Sequence, residues 1–326
     1  MAIILKTFLS MLCIAYSTIT LATQEASTQH YPPSPSFSQL AGNIWDDLGQ
    51  FTTEINPVDN ALPLLGLTAT TLLLVAHDEA ITQHVQRLAH KWGILSDTQH
   101  GREARIVFDP SVGGFDIPFR IPQNLVSSLY FMGDAPMHIA IYSGLATYGA
   151  IYDNNRARNA ASQVAEGVLA TGILIQIMKR CFGRESPFQR TEAGGAWDLF
   201  PNQIDYAYNV AKYDAMPAGH MATAMATTHI LAGNYPEYKY IKPVGYTLTS
   251  MIGLAMIING VHWAGDYPLG LATGYLVANI VLKRGKEYRE RFDSTHSLRH
   301  SRKIRAQFLP YIHSSNNMGL WLSVSM

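Results

Sequence analysis

Two histidines and an aspartate are the residues of this chain best placed to do chemistry. His220 closes the stretch Met216-Pro217-Ala218-Gly219-His220, and His262 and Asp266 lie in Gly260-Val261-His262-Trp263-Ala264-Gly265-Asp266. Each histidine stands where an apolar run meets a connection. Pro217 suits the first turn of a helix, because its missing N–H would have no partner there. Gly219 admits close approach to the backbone, and first-turn N–H groups attract phosphate-like anions. Asp266, four residues after His262, can fix the tautomer of an imidazole and steady its protonated form. Such a pair is the orienting half of a nucleophile or general-base site. A third stretch, Lys179-Arg180-Cys181-Phe182-Gly183-Arg184-Glu185-Ser186-Pro187, sets cations at the end of another apolar run. Each member has an ordinary alternative: Lys179 can serve a helix dipole, Asp266 an N-cap and His220 a satisfied core position. The set says more than its members, since all lie at the ends of consecutive elements.

Six apolar runs must position these groups: Leu62–Ala76, Met137–Tyr152, Val164–Met178, Met221–Ala232, Val244–Val261 and Leu269–Leu282. They exceed strand length and are rich in Ala, Leu, Met and Gly, which predicts helices; no convincing strand alternation is visible. Asn259-Gly260 reads as a helix stop. Gly270 and Gly274 lie four apart, read as ordinary small-residue packing rather than a special close contact. Two long connections interrupt the series, over residues 77–136 and 188–216. The first is expected to hold a short helix near Ile81–Trp92, and connections of such length in a compact domain are often lids. Residues 23–60 read as an extension: Tyr31-Pro32-Pro33-Ser34-Pro35 suits neither helix nor central strand, and Ile44 to Phe51 suits a short amphipathic helix packed on the main domain.

The chain of 326 residues has a formal net charge of zero, so no overall field points to nucleic acid. It has neither zinc-type cysteine clusters nor a glycine-rich phosphate loop. Residues 1–22 read as an export signal, with Lys6 before a largely apolar Phe8–Tyr16 and a small-residue end at Thr20-Leu21-Ala22. Cleavage would leave Cys181 alone and preclude an intramolecular disulfide. From Lys283 to Arg305 nine Lys or Arg face three Asp or Glu, which predicts a basic, solvated C-terminal helix with a frayed end.

The three stretches together resemble the type 2 phosphatidic acid phosphatase and vanadium haloperoxidase superfamily, whose signature runs K-x6-R-P, P-S-G-H and S-R-x5-H-x3-D. Lys179–Pro187, Pro217–His220 and Ala255–Asp266 align with the three parts in order. The resemblance implies an all-α six-helix core over residues 61–285, between the N-terminal extension and a basic tail at 286–326. It further implies that His262 attacks phosphorus to form a phosphohistidine, that Asp266 holds the other ring nitrogen, and that His220 protonates the leaving oxygen and then activates water. Lys179 and the Gly219 N–H would bind phosphate oxygens, so no metal or other cofactor is called for.

Ser186 stands where the signature has its first arginine, Ala218 where it has serine, and Ala255-Met256 where it has serine-arginine. Each charge-assisted donor lost is worth on the order of 2–4 kcal/mol of transition-state binding. Arg184 is the candidate to swing in, Ser186 can donate a neutral hydrogen bond, and Lys212 is a further cation within reach. The expected activity is a phosphatase acting on a phosphomonoester or lipid (di)phosphate. The thinned clamp keeps two other readings open: a non-enzymatic binding or scaffold protein of the envelope with the same fold, and a vanadate-dependent haloperoxidase. The expected partner is a phosphorylated small molecule or lipid phosphate, with possible membrane contact, no nucleic acid and no inferable protein partner. Apolar runs of about 15–18 residues fall at or below bilayer-spanning length. That places the chain in the periplasm or on the membrane periphery, with an integral form as the alternative.

Overall fold

The computed structural model describes residues 31–94, 104–108, 111–112, 115–116, 119–122, 124–301, 305–314 and 317–325. The expected export signal and Cys13 lie outside them. The described residues within 33–287 form one compact unit, and residues 31–32, 288–301, 305–314 and 317–325 belong to another.

All six apolar runs are helical. They lie in α2 (Pro57–Lys91), α4 (Ala135–Ile151), α5 (Asn155–Phe182), α7 (Gly219–Asn234), α8 (Ile241–Ile258) and α9 (Tyr267–Ser301). Three more helices join them among the described residues: α1 (Phe37–Glu54), α3 (Leu125–Met132) and α6 (Gln203–Tyr208). The fold is all-α in its core, as expected. Helix α1 starts at a capping box, in which Ser36 and Gln39 satisfy each other's backbone N–H groups. Its Phe51 belongs with Val164, Ala226, Ile230, Val277 and Val281 to one buried cluster drawn from α1, α5, α7 and α9. A second apolar cluster, Ala218, Met221, Ala224, Ile252 and Met256, ties the start of α7 to α8.

Four features depart from the sequence reading. The expected helix at Ile81–Trp92 is the continuation of α2 past a kink at Asn60, so charged residues extend the same rod. The connection after it contains two short antiparallel pairs, Ala104–Phe108 with Phe119–Pro122 and Ser111–Val112 with Phe115–Asp116. Strands of two to five residues are too short to show alternation. The basic tail is helical to Ser301 and then forms a hairpin of Arg305–Ser314 with Asn317–Ser325, rather than fraying. Gly270 and Gly274 are a true close approach: an added Cβ would lie 2.6 Å from the Ala218 carbonyl oxygen and 2.0 Å from that of Ala222. These glycines bring the α9 backbone against the first turn of α7, where His220 sits.

Helices α2, α5 and α8 are long and apolar enough to cross a membrane. Helices α2 and α5 are longer than the apolar runs that mark them, which is why run length understated this. Leu62, Leu65, Leu72 and Leu73 of α2 are 62–80% exposed, a face with no protein against it.

Candidate active site at the helix ends

The site is built from the C-terminal end of α5, the N-terminal end of α7 and the turn between α8 and α9. Helix α8 stops at Ile258, and Gly260 follows with φ +67°, as its glycine predicts. His262 and Trp263 then lead into a short 3-10 turn over Ala264–Asp266 before α9. His262 is 2% exposed, and its Nδ1–H donates to the Ala215 carbonyl at 2.5 Å. Nδ1 is therefore the protonated nitrogen and Nε2 carries the lone pair. The nearer partner of Nδ1 is thus a backbone carbonyl, with Asp266 Oδ2 farther off at 3.5 Å.

Asp266 is fully buried and each oxygen has a strong donor. Oδ2 accepts from the Trp263 N–H at 2.7 Å and Oδ1 from Arg184 Nη1 at 2.7 Å. The Asp266 carbonyl in turn accepts from the Ala218 N–H at 3.0 Å. This pins the start of α7 to the nucleophile turn. Ala218, where the family signature has serine, makes no side-chain cap. The first-turn N–H groups of α7 have no intrahelical acceptors. A Cβ on Gly219 would meet only Ile175 Cγ2, at 3.4 Å, so protein packing does not demand glycine there. Pro217 precedes this helix, across a cis peptide bond from Met216, instead of opening it.

His220, one residue into α7, faces His262 with ring centroids 6.3 Å apart and planes at 68°. A phosphorus bonded to one ring nitrogen, with an oxygen hydrogen-bonded to the other ring, spans about 6 Å. Tyr130 of α3 stacks on His220 at 4.6 Å, and Gly133 lies so close that a Cβ would approach His220 Cβ to 2.9 Å. His220 Nε2 is shielded and has no hydrogen-bond partner. Burial, with smaller contributions from His262 and Lys179, holds His220 well below the ordinary histidine value.

Lys179, in the last turn of α5, is buried and pairs with Asp214 Oδ2 at 3.4 Å. Burial, with a smaller contribution from Asp214, pushes Tyr206 up to about 12, so that phenol stays neutral. Neither Asp214 nor Tyr206 is marked in the sequence by any motif.

Arg184 does not swing into the clamp. Gly183 ends α5 in the left-handed conformation, φ +53°, and sends the chain inward. The fully buried Arg184 then donates from Nη1 to Asp266 and from Nη2 to both Asp78 Oδ2 and the Gly194 carbonyl, each at 2.7 Å. Trp197 and Trp263 lie against its guanidinium at 4.8 and 5.3 Å. Ser186 is buried beside it, with its N–H on the Ala211 carbonyl. Lys212 is half exposed and pairs with Asp205 at 3.6 Å, away from the clamp. Met256 and Ala255 are buried apolar residues in the packing beneath the site. The connection over 188–216 is an ordered wall rather than a loose lid. Glu185 Oε2 accepts from Thr191 and Ala196 N–H groups, and the Arg184 carbonyl accepts from the Ala215 N–H at 2.9 Å. Arg184 thereby holds the residue whose carbonyl holds His262.

Asp78 is the part of this arrangement that the sequence reading did not find. It is fully buried on α2, with Oδ1 accepting from the Gly265 N–H at 2.8 Å and Oδ2 from Arg184. The one sequence signal is a carboxylate directly after an apolar run.

Comparison with known proteins bears on this geometry. Residues 160–290 match the sequence model of the PAP2 superfamily. The matched stretch is about two-fifths of the chain. It contains Lys179, His220, His262 and Asp266, and the two helix ends that carry them. A lipid A 1-phosphatase of Porphyromonas gingivalis is 35% identical over 68 residues, which is 21% of this chain and 15% of that protein. The chain thus spans about a seventh of the length of the curated relative it matches. Among solved structures, Aquifex aeolicus LpxE is similar at 18% identity and a TM-score of 0.37, over 48% of this chain and 83% of that one. A transmembrane PAP2-type phosphatidylglycerolphosphate phosphatase from Bacillus subtilis is similar at 14% identity and a TM-score of 0.39, over 71% of this chain and 96% of that one.

Proposed function

We propose that the protein is a membrane-associated lipid phosphate phosphatase that works through a phosphohistidine on His262. The observation that carries the reading is the state of that ring. Its Nδ1–H is committed to the Ala215 carbonyl, which leaves the Nε2 lone pair for phosphorus, opposite a second imidazole with an unpartnered nitrogen. The His262 Nε2 lone pair forms the N–P bond as the P–O bond to the leaving alcohol breaks. His220 gives its proton to the departing oxygen. Water then attacks phosphorus, loses a proton to His220 and releases inorganic phosphate, and the N–P electron pair returns to His262.

Phosphate oxygens would rest on Lys179 and the N–H groups at the start of α7, with Ser186 as a neutral neighbour. The resting site suits a neutral His220, and a bound phosphate dianion supplies the negative charge that draws a proton onto it. Lipid is the substrate class because α2, α5 and α8 have bilayer length and composition and the exposed leucines of α2 have no protein cover. The same faces favour an integral placement in the envelope over a peripheral one. The full chain in detergent micelles should release inorganic phosphate from phosphatidic acid and form an acid-labile phosphoenzyme. His262→Ala should do neither. A folded His262→Ala protein with native turnover rules the reading out, and inactivity of the folded native chain on lipid and soluble esters alike supports the non-enzymatic alternative.

A further inference from the structure

We infer that Asp78 of α2 is a positioning residue for the nucleophile, acting through Arg184 and Asp266. The inference rests on the phosphohistidine reading of the site and extends it to a helix outside the PAP2 stretch.

The connection is continuous. Asp78 Oδ2 accepts from Arg184 Nη2, Arg184 Nη1 donates to Asp266 Oδ1, and Asp266 Oδ2 faces His262 Nδ1. A second arm runs from Asp78 Oδ1 to the Gly265 N–H, inside the turn that separates Asp266 from His262. Gly265 has to be glycine for this, because a Cβ would lie 2.7 Å from Asp78 Oδ2 and 2.6 Å from Val75 Cγ2. Asp78 therefore fixes both the guanidinium that orients Asp266 and the backbone on which His262 is presented.

A plain structural salt bridge explains less. Buried ion pairs add little net stability over apolar residues of the same size, and this one needs three elements distant in sequence to converge. The charges also do not balance locally. Asp78 and Asp266 bring two negative charges to a single guanidinium, whose Nε has no partner. The Asp266 end of this unit lies 3.5 Å from His262 Nδ1, where its negative charge would stabilise the positive charge the ring acquires when Nε2 is phosphorylated. One carboxylate would orient Arg184; the second supplies the field.

The test compares the full native chain with Asp78→Asn and Arg184→Lys in detergent micelles. Turnover of phosphatidic acid and rapid-quench phosphoenzyme formation are measured per folded molecule. Asp78→Asn should lower kcat by about ten- to a hundredfold, with KM within about threefold, and should slow formation of the phosphoenzyme. Arg184→Lys keeps a charge but cannot bridge both carboxylates, and should show the same split. In Asp78→Asn/Asp266→Asn the losses should be far less than multiplicative, because both changes disable one unit. Native kcat per folded Asp78→Asn molecule overturns the inference, as does a loss confined to the folded fraction or to KM. If Asp78→Asn does not fold, Arg184→Lys decides alone by the same criteria. If His262→Ala forms phosphoenzyme at the native rate, the fault lies in the reading of the site and not in the role of Asp78.

Discussion

Asp214→Asn isolates the electrostatics of the thinned clamp. Lys179 is the cation that the first signature stretch delivers to the mouth, and in the resting site Asp214 pairs with it at 3.4 Å. A phosphate dianion that hydrogen-bonds to Lys179 places phosphorus about 6 Å from the Asp214 carboxylate. Two negative charges repelled by one at that distance cost about 1.4 kcal/mol even at the dielectric constant of water, and more in a half-buried mouth. Removing the carboxylate should therefore tighten inorganic phosphate by at least about tenfold. The assay is competitive inhibition of ester hydrolysis by phosphate at low and high ionic strength. Ki should fall in Asp214→Asn, and the advantage should shrink as salt screens the mouth. Turnover should fall if product release becomes limiting. An unchanged or weakened Ki refutes the claim that the resting clamp is neutralised by Asp214. Its partial exposure, 28% for the side chain, keeps the substitution free of a large folding penalty.

Three further outcomes follow from the geometry. Lys179→Met should raise KM and the phosphate Ki more than it lowers kcat, because its ammonium holds ground-state and transition-state oxygens alike; equal kcat and kcat/KM losses would place it elsewhere in the reaction. His220 is held below its ordinary 6.5 by burial, so its contribution to stability has a definite sign. Above that pH neither state holds the proton. Below it the unfolded chain takes up a proton that the folded site refuses, so stability falls as pH drops through and beneath that value. Thermal melts of His220→Gln should show a weaker acid dependence than the native chain, and parallel curves would remove His220 as the cause. Gly183→Ala should destabilise the fold by about 2–4 kcal/mol, because φ is +53° and a Cβ would meet the Asp198 carbonyl oxygen at 1.9 Å. Denaturant melts check it, and a loss below about 0.5 kcal/mol would mean that the turn relaxes freely.

The candidate site groups stood out in the sequence because each sits at a helix end beside residues that mark the end: Gly219 before His220, Gly260 before His262, Gly183 after Lys179. Helix ends leave backbone amides free and bring distant elements together, so chemistry-bearing side chains concentrate there with local signals. What orients them was harder to see. The closest acceptor for His262 is a backbone carbonyl, at Ala215, and a carbonyl has no residue identity to read. Arg184 lies two positions from the signature arginine, and only the left-handed turn at Gly183 decides whether it faces the mouth or the interior. Asp78 is separated from Arg184 by 106 positions, and no periodicity connects them.

These residues also suggest how a site without the two signature guanidiniums can still act. Guanidiniums in a clamp lower the barrier by meeting charge on the transferred phosphoryl group. A rigid support lowers it by removing the reorganisation needed to bring nucleophile and acid into line. Here the one buried guanidinium is spent on support. Arg184 holds Asp266, Asp78 and Gly194 through its side chain and Ala215 through its carbonyl, so the partners of His262 converge on one residue. Its anchor Asp78 belongs to α2, whose preceding turns carry exposed leucines. A slip of α2 by one turn, about 5.4 Å, would carry Asp78 out of reach of both Arg184 and Gly265. The seating of α2 is therefore coupled to the alignment of His262 through Asp78 and Arg184.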